Sequence, residues 1–345
     1  MKKTALIIAS FLFICVVSVA AYYDIVDIEA NNNAFAQMND FENEAFKNEI
    51  NIENDNFTVV ENDKLPIEEE IIQDVINIPN VVKKDGQIMI IMYHKFAKDD
   101  KNDEWTRSFS DFKKDLEKLY ENNYRPISMT DYLTNNINIP EGTTPVVLTF
   151  DDGSAGQLSF ERVDGELVIK ENTAVKIMQD FNKEHPDFEL KGTFYVSGTN
   201  FFGAQGTYGY RLSYLTDLGF EIGNLTKSYY ALGRADSAQK VQEEVGGFVK
   251  FIDEYLPGYT VNSLSLPGGS RAKTYEEYMY KGEYEGYEYE NKGVVSIYNS
   301  FPAKSPTDSE VNFKNIPRIK ANDPEKGIDY WIQYFIDNPE EKYVK

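Results

Sequence analysis

From residue 87 onward the chain alternates two kinds of segment, and that alternation limits what it can fold into. Short, nearly continuous apolar runs read as strands buried on both faces: QIMIIMYHKF from Gln87, PVVLTF from Pro145, KGTFYVSG from Lys191 and FEIGNLT from Phe220. Between and after them stand segments with apolar residues at helical spacing, namely SFSDFKKDLEKLYENNY, NTAVKIMQDFNKEHP, YRLSYLTDLG and SAQKVQEEVGGFVKFIDEYLPG. The first sets Phe112, Leu116 and Leu119 behind a Ser110 cap, and the second stops at Pro186. Strand and helix in turn, with strands apolar on both sides, predict an α/β fold whose parallel sheet is covered by helices, most simply a barrel or partial barrel. In such folds the chemistry gathers at the carboxyl ends of the strands.

Residues 1–23 do not belong to that domain. Lys2 and Lys3 precede a continuous apolar run, and small residues follow at Ser18, Ala20 and Ala21, which is the pattern of an export signal. The run from Ala5 to Ala21 lies near the lower limit for crossing a bilayer. Cleavage would secrete the chain, and retention would tether it to the membrane at the cell envelope. Residues 24–82, rich in Asn, Asp and Glu, are expected to form an acidic, disordered spacer, within which IEEEIIQDVINI at 67–78 has the spacing of a short helix. The folded domain is expected over 83–345. The only cysteine, Cys15, lies in the leader, so no disulfide holds the domain and an ordinary core must. A formal net charge of −22 repels phosphate backbones and excludes nucleic acid as the natural partner.

In VVLTFDDGSAG, Asp151 and Asp152 follow directly on a strand and Gly153 lets the backbone turn at once, which sets both acids at the barrel mouth. Adjacent carboxylates repel each other unless a positive charge stands beside them, and a metal ion would supply one. Of the two histidines, His185 sits at a helix end before Pro186, whereas His94 ends the first strand and is placed to face the same mouth.

LTFDDG, the earlier IMYHKF and the later GTFYVSG and LGFEIGN stand in the order seen in polysaccharide deacetylases of the NodB-homology type, carbohydrate esterase family 4. The chain resembles that family over roughly residues 86–320. The resemblance implies a distorted, incomplete (β/α) barrel and the removal of acetyl groups from N-acetylated sugars in peptidoglycan, chitin or related glycans. It implies Asp151 as the base and Asp152 as a zinc ligand beside two histidines of a His-Ser/Thr-x-x-His motif. There the chain departs. After EIGN it reads LTKSYY, so Leu225 and Tyr229 stand where the histidines would, with Thr226 kept between them. Leucine has no lone pair, and a phenol of pKa near 10 is a poor zinc ligand. The family's Arg-x-Pro-aromatic run, which orients the base, corresponds to SLPGG with Ser265, Pro267 and Gly268, lacking the arginine and the aromatic. The late histidine that protonates the leaving amine has no counterpart in FKNIPRIKAND.

Metal-bound water ionises near pH 7 rather than 15.7, a gain of roughly 12 kcal/mol, while a positioned base supplies about 3 to 5 kcal/mol. Asp151 alone does not make up the difference. The expectation is therefore a pseudoenzyme that binds N-acetylated wall polysaccharide with no cofactor. Tyr229, Tyr230 and Pro267 would contact the glycan, and Asp152 would accept hydrogen bonds from the turn at Gly153. The alternative is an active N-deacetylase, cleaving carbon–nitrogen but not peptide bonds in peptidoglycan or a related glycan. It would need zinc or another divalent metal held by Asp152 with Glu221 or with His94. The tyrosine-rich stretch from Lys273 to Gly293 is open to two readings, a sugar-stacking surface and a hairpin packed on the barrel flank.

Overall fold

A computed structural model describes residues 85–98, 103–199, 201–203, 206–297 and 300–345. The expected leader or anchor, the acidic spacer and the 67–78 helix lie outside the described residues. In chain order the domain begins with β1 (Gln87–Tyr93), the short ladder β2 (Lys95–Ala97) and β3 (Thr106–Ser108), and helix α1 (Phe109–Glu121). Then come β4 (Tyr124–Ile127), α2 (Met129–Leu133), β5 (Thr144–Asp151), the hairpin β6 (Phe160–Val163) and β7 (Glu166–Ile169), and α3 (Ala174–Glu184). Next are β8 (Thr193–Val196), α4 (Tyr208–Asp217), β9 (Glu221–Asn224), α5 (Ala238–Tyr255) and β10 (Ser263–Ser265). The chain closes with α6 (Glu277–Tyr280), the hairpin β11 (Lys281–Tyr284) and β12 (Tyr287–Glu290), β13 (Gly293–Val295), β14 (Ala303–Lys304), β15 (Ile319–Lys320) and α7 (Ile328–Asp337).

The expected alternation is there. Helix α1 is capped two residues earlier than Ser110, because it starts at Phe109 and the Ser108 hydroxyl accepts the Asp111 N–H at 3.0 Å. The main sheet runs β13-β10-β9-β8-β5-β1, with β4 beside the first half of β5 and β15 beside the end of β1. Its ladders are parallel except for β14, which pairs antiparallel with the start of β1. The sheet curls without closing fully, and the segment 316–320 crosses the gap. Ile316 bridges to Val295 of β13, while Ile319 and Lys320 pair with Ile91 and Met92 of β1. This is the incomplete (β/α) barrel that the sequence led us to expect.

Period-two alternation along each strand decides which residues face inward. Met89, Ile91 and Tyr93 of β1 and Val146, Leu148 and Phe150 of β5 pack in one cluster with the helices outside. Ile88, Ile90 and Val147 belong to a second cluster inside the curl, together with Tyr195, Leu225 and Val295. Thr149 and Asp151 share the parity of Val147, so the inner face turns polar toward the mouth. Tyr289 is buried and its hydroxyl donates to the Tyr278 carbonyl at 2.6 Å, while Tyr284 and Tyr289 lie against Gly246 of α5. The tyrosine-rich stretch is thus a hairpin packed on the flank. Among the described residues no helix is long and apolar enough to cross a membrane.

Phe150 is fully buried, its ring stacked 4.5 Å from that of Phe194. Phe150→Ala is expected to cost about 3–5 kcal/mol in urea unfolding, and a loss under about 1 kcal/mol would contradict the packing.

Candidate functional site

Asp151 ends β5 and is 2 % exposed. A buried carboxylate needs a counter-charge, and Arg318 provides it. Nη1 donates to Oδ1 at 2.7 Å and Nη2 to Oδ2 at 2.8 Å, while the Ser265 hydroxyl donates to Oδ2 at 2.9 Å. Arg318 is itself wholly buried, and the rest of its donors are met: Nε by the Ser296 carbonyl at 2.9 Å, Nη1 by Thr149 Oγ1 at 3.1 Å and Nη2 by Ser265 Oγ at 3.2 Å. Burial alone would raise the Asp151 carboxyl. The charge and hydrogen bonds of Arg318, aided by His94 and Ser265, outweigh it and hold the group below its ordinary value.

SLPGG lacks an arginine, as its sequence shows. The arginine beside Asp151 belongs to the strap at 316–320, and Ser265 contacts the same carboxylate. Arginine amid Ile316, Pro317 and Ile319 was the available signal, since a charge inside an apolar run is buried only against a partner. Gln157 is a second residue the sequence did not reveal. Fully buried, it donates Nε2 to the carbonyls of His94 and Asp151 at 2.5 and 2.6 Å and ties the ends of β1 and β5 together.

Asp152 and Gly153 both take left-handed backbone angles, φ 73° and 57°. A Cβ at Gly153 would also come within 2.8 Å of Phe201 Cβ, so glycine is required for the turn. The turn brings Asp152 to a pocket of about 190 Å³ lined by His94, Trp105, Asp152, Leu225, Tyr229 and Pro267, with Asp151 at its base. Asp152 was expected to accept hydrogen bonds from the turn at Gly153; its carboxylate lines this pocket together with the Tyr229 phenol and His94. Burial raises the Asp152 carboxyl above its usual value against the opposing pull of His94. Burial lowers His94 against the pull of both aspartates, which favours the neutral imidazole. The Tyr229 hydroxyl is raised by burial and by Asp152, so it remains a donor.

The loop carrying Tyr229 is strained and pinned. Thr226 and Tyr229 have φ of 62° and 59°, costly for a β-branched and a bulky side chain. Asn224 Oδ1 accepts the Thr226 N–H at 2.8 Å, and Glu244 of α5 accepts the N–H and hydroxyl of Ser228 at 3.0 and 2.8 Å. Tyr230 does not line the pocket. Its ring lies 4.9 Å from the Lys240 ammonium and packs toward α5. Glu221 is also remote from Asp152: at the start of β9, it accepts from Thr193 Oγ1 at 2.7 Å and from the Thr130 N–H at 3.1 Å. His185 caps α3 and packs at a tilt against Tyr120, ring centroids 4.1 Å apart.

The donor set does not fit a catalytic zinc. Three protein ligands are needed. Leu225 offers none, Tyr229 presents a protonated phenol, Asp151 is held by Arg318, and Glu221 faces the other way. Among the described residues no group of three His, Cys, Asp or Glu side chains is placed to hold a metal ion.

Barrel, strap and mouth together define a class of fold, that of the polysaccharide deacetylases. The Streptococcus pyogenes deacetylase PplD, solved in complex with acetate, matches 72% of this chain and 98% of its own, with a TM-score of 0.54 and 17% identity. A polysaccharide deacetylase from Bacillus cereus matches 72% of this chain and 69% of its own, with a TM-score of 0.53 and 14% identity. At such identities the likeness establishes the fold. No protein-family model matches the sequence, and a search of curated proteins finds no match.

Arg318→Met leaves Asp151 buried and unpaired and is expected to cost about 3–5 kcal/mol in urea unfolding. Combining it with Asp151→Asn should cost much less than the two single changes summed, and strict additivity would show that the pair is not coupled.

Proposed function

We propose that this protein is secreted or anchored at the cell envelope through residues 5–21, and binds N-acetylated wall polysaccharide without hydrolysing it. The observation that carries the reading is that Leu225 and Tyr229 line the pocket beside Asp152. They stand where the two zinc histidines would and leave the carboxylate that would have been the remaining ligand without nitrogen donors from that loop. Without a metal, attacking water keeps a pKa of about 15.7, and a carboxylate held below its ordinary value is too weak a base to bridge a gap of about 12 units. Binding does not need that chemistry. The half-exposed Tyr229 and Trp105 offer apolar faces for sugar rings, with the buried Pro267 in the pocket wall, and Asp152 and His94 offer polar atoms for hydroxyl and acetamido groups. The deacetylases of the same fold, named for polysaccharide substrates, support a glycan as the ligand.

A second reading, an active N-deacetylase, draws on Arg318, which orients Asp151 as the family's arginine orients its base, and on His94 beside both carboxylates. His94 and Asp152 would then hold a divalent metal. Acetate release from N-acetylglucosamine oligomers decides between the readings. It is expected at background with or without added zinc, with zinc content well below one ion per chain. Leu225→His with Tyr229→His is expected to gain tight zinc binding without matching turnover. Robust turnover abolished by Asp151→Asn would establish the second reading.

A further inference from the structure

A second and larger cleft, about 760 Å³, lies beside the Asp151 pocket, between the residues preceding β3 and the start of α7. Asp103, Arg107, Lys320, Asn322 and Tyr330 are among its walls. Its volume falls in the range of about 300–1,000 Å³ typical of ligand sites. Among the described residues none lines both cavities, but a small recess lies between them. His94 and Trp105 line the Asp151 pocket, and they also line the recess, whose other walls include Arg107 and Lys320 of the cleft.

Trp105 stands at the junction and is held in place. Its backbone N–H donates to Asp103 Oδ1 at 2.8 Å, and its carbonyl accepts the Lys95 N–H at 2.9 Å. The Lys320 ammonium lies 4.3 Å from the ring centroid, and the His94 ring packs against it at 4.7 Å. The residue is nevertheless 36% exposed. Arg107 is equally fixed. Its Nε and Nη2 bond the two oxygens of buried Asp115 at 3.0 and 2.5 Å, and Tyr93 donates to the same carboxylate at 3.1 Å. Among the described residues Nη1 has no acceptor, so it remains as a rigid donor. Tyr330, across the cleft, is 42% exposed.

Held aromatic faces and fixed polar atoms in a groove are what a sugar chain requires: rings stack and hydroxyls pair. Carboxylates outnumber cations around the cleft, which disfavours an anionic polymer. We infer that the cleft is a second glycan-binding site, adjoining the Asp151 pocket across Trp105. The protein thereby takes an uncharged polysaccharide several sugars long rather than a single sugar. This rests on the glycan reading of the Asp151 pocket.

Calorimetric titration of the full chain with β-1,4-linked N-acetylglucosamine oligomers, from dimer to hexamer, tests it. Affinity is expected to rise at least about tenfold across the series, equivalent to about 1.4 kcal/mol. Tyr330→Ala should abolish that gain while leaving the dimer unchanged, and Tyr229→Ala should weaken every length. Equal affinity at every length, or a length gain that survives both Tyr330→Ala and Trp105→Ala, overturns the second site and leaves the glycan reading standing. Absence of binding at any length overturns both.

Discussion

Arg318 and Asp151 form an ion pair with no access to water, and the mouth of the barrel is arranged around it. Each of the five guanidinium N–H groups has an acceptor, shared among Asp151, Ser265, Thr149 and the Ser296 carbonyl. Such completeness matters because desolvating two charges costs several kcal/mol per ion, repaid only when geometry and hydrogen bonding are good. The pair demands that β5 place Asp151 on the inner face, that β10 end on Ser265, and that the strap 316–320 cross the gap between β13 and β1. A one-residue slip in β5 would send Asp151 to the helix-covered side. The same bonds that join the sheet's two ends therefore set the chemistry of the carboxylate at its mouth.

That carboxylate is oriented and weakly basic, and its neighbour Asp152 shares the pocket with Tyr229. The loop bearing Tyr229 keeps a strained backbone at Thr226 and Tyr229 and is pinned by Asn224 and Glu244. Strain of this kind persists only where the surroundings over-determine it. Here it presents a half-exposed phenol to a pocket that also holds Pro267 and Trp105. Rigid aromatic and polar groups around this mouth are the basis of the sugar-binding proposal.

Much of this was legible in the chain. The apolar runs marked β1, β5, β8 and β9, and the strand end placed Asp151 and Asp152 at the mouth. The charge of Arg318 in an apolar run was a signal, but its partner was not legible, because Asp151 lies 167 residues away and the strand that follows Arg318 has only two residues and no periodicity to read. Trp105 was hidden for a similar reason, standing just before the three-residue strand β3. Tyr230 and Glu221 were misplaced because neighbours in sequence need not share a face: one turns toward α5, and the other caps α2 from the opposite end of its strand.

The central claim is that Arg318 holds Asp151 as an ionised, hydrogen-bonded carboxylate despite its burial. A group with a depressed folded pKa stabilises the fold above its ordinary value, and that contribution is lost as pH falls through the folded value. Carbon-detected titration of the aspartate carboxyl groups, with Asp151 assigned through Asp151→Asn, reads this directly. The account predicts a midpoint below the ordinary value of about 3.9, moving above it in Arg318→Met as burial takes over. A wild-type midpoint at or above the ordinary value would contradict it.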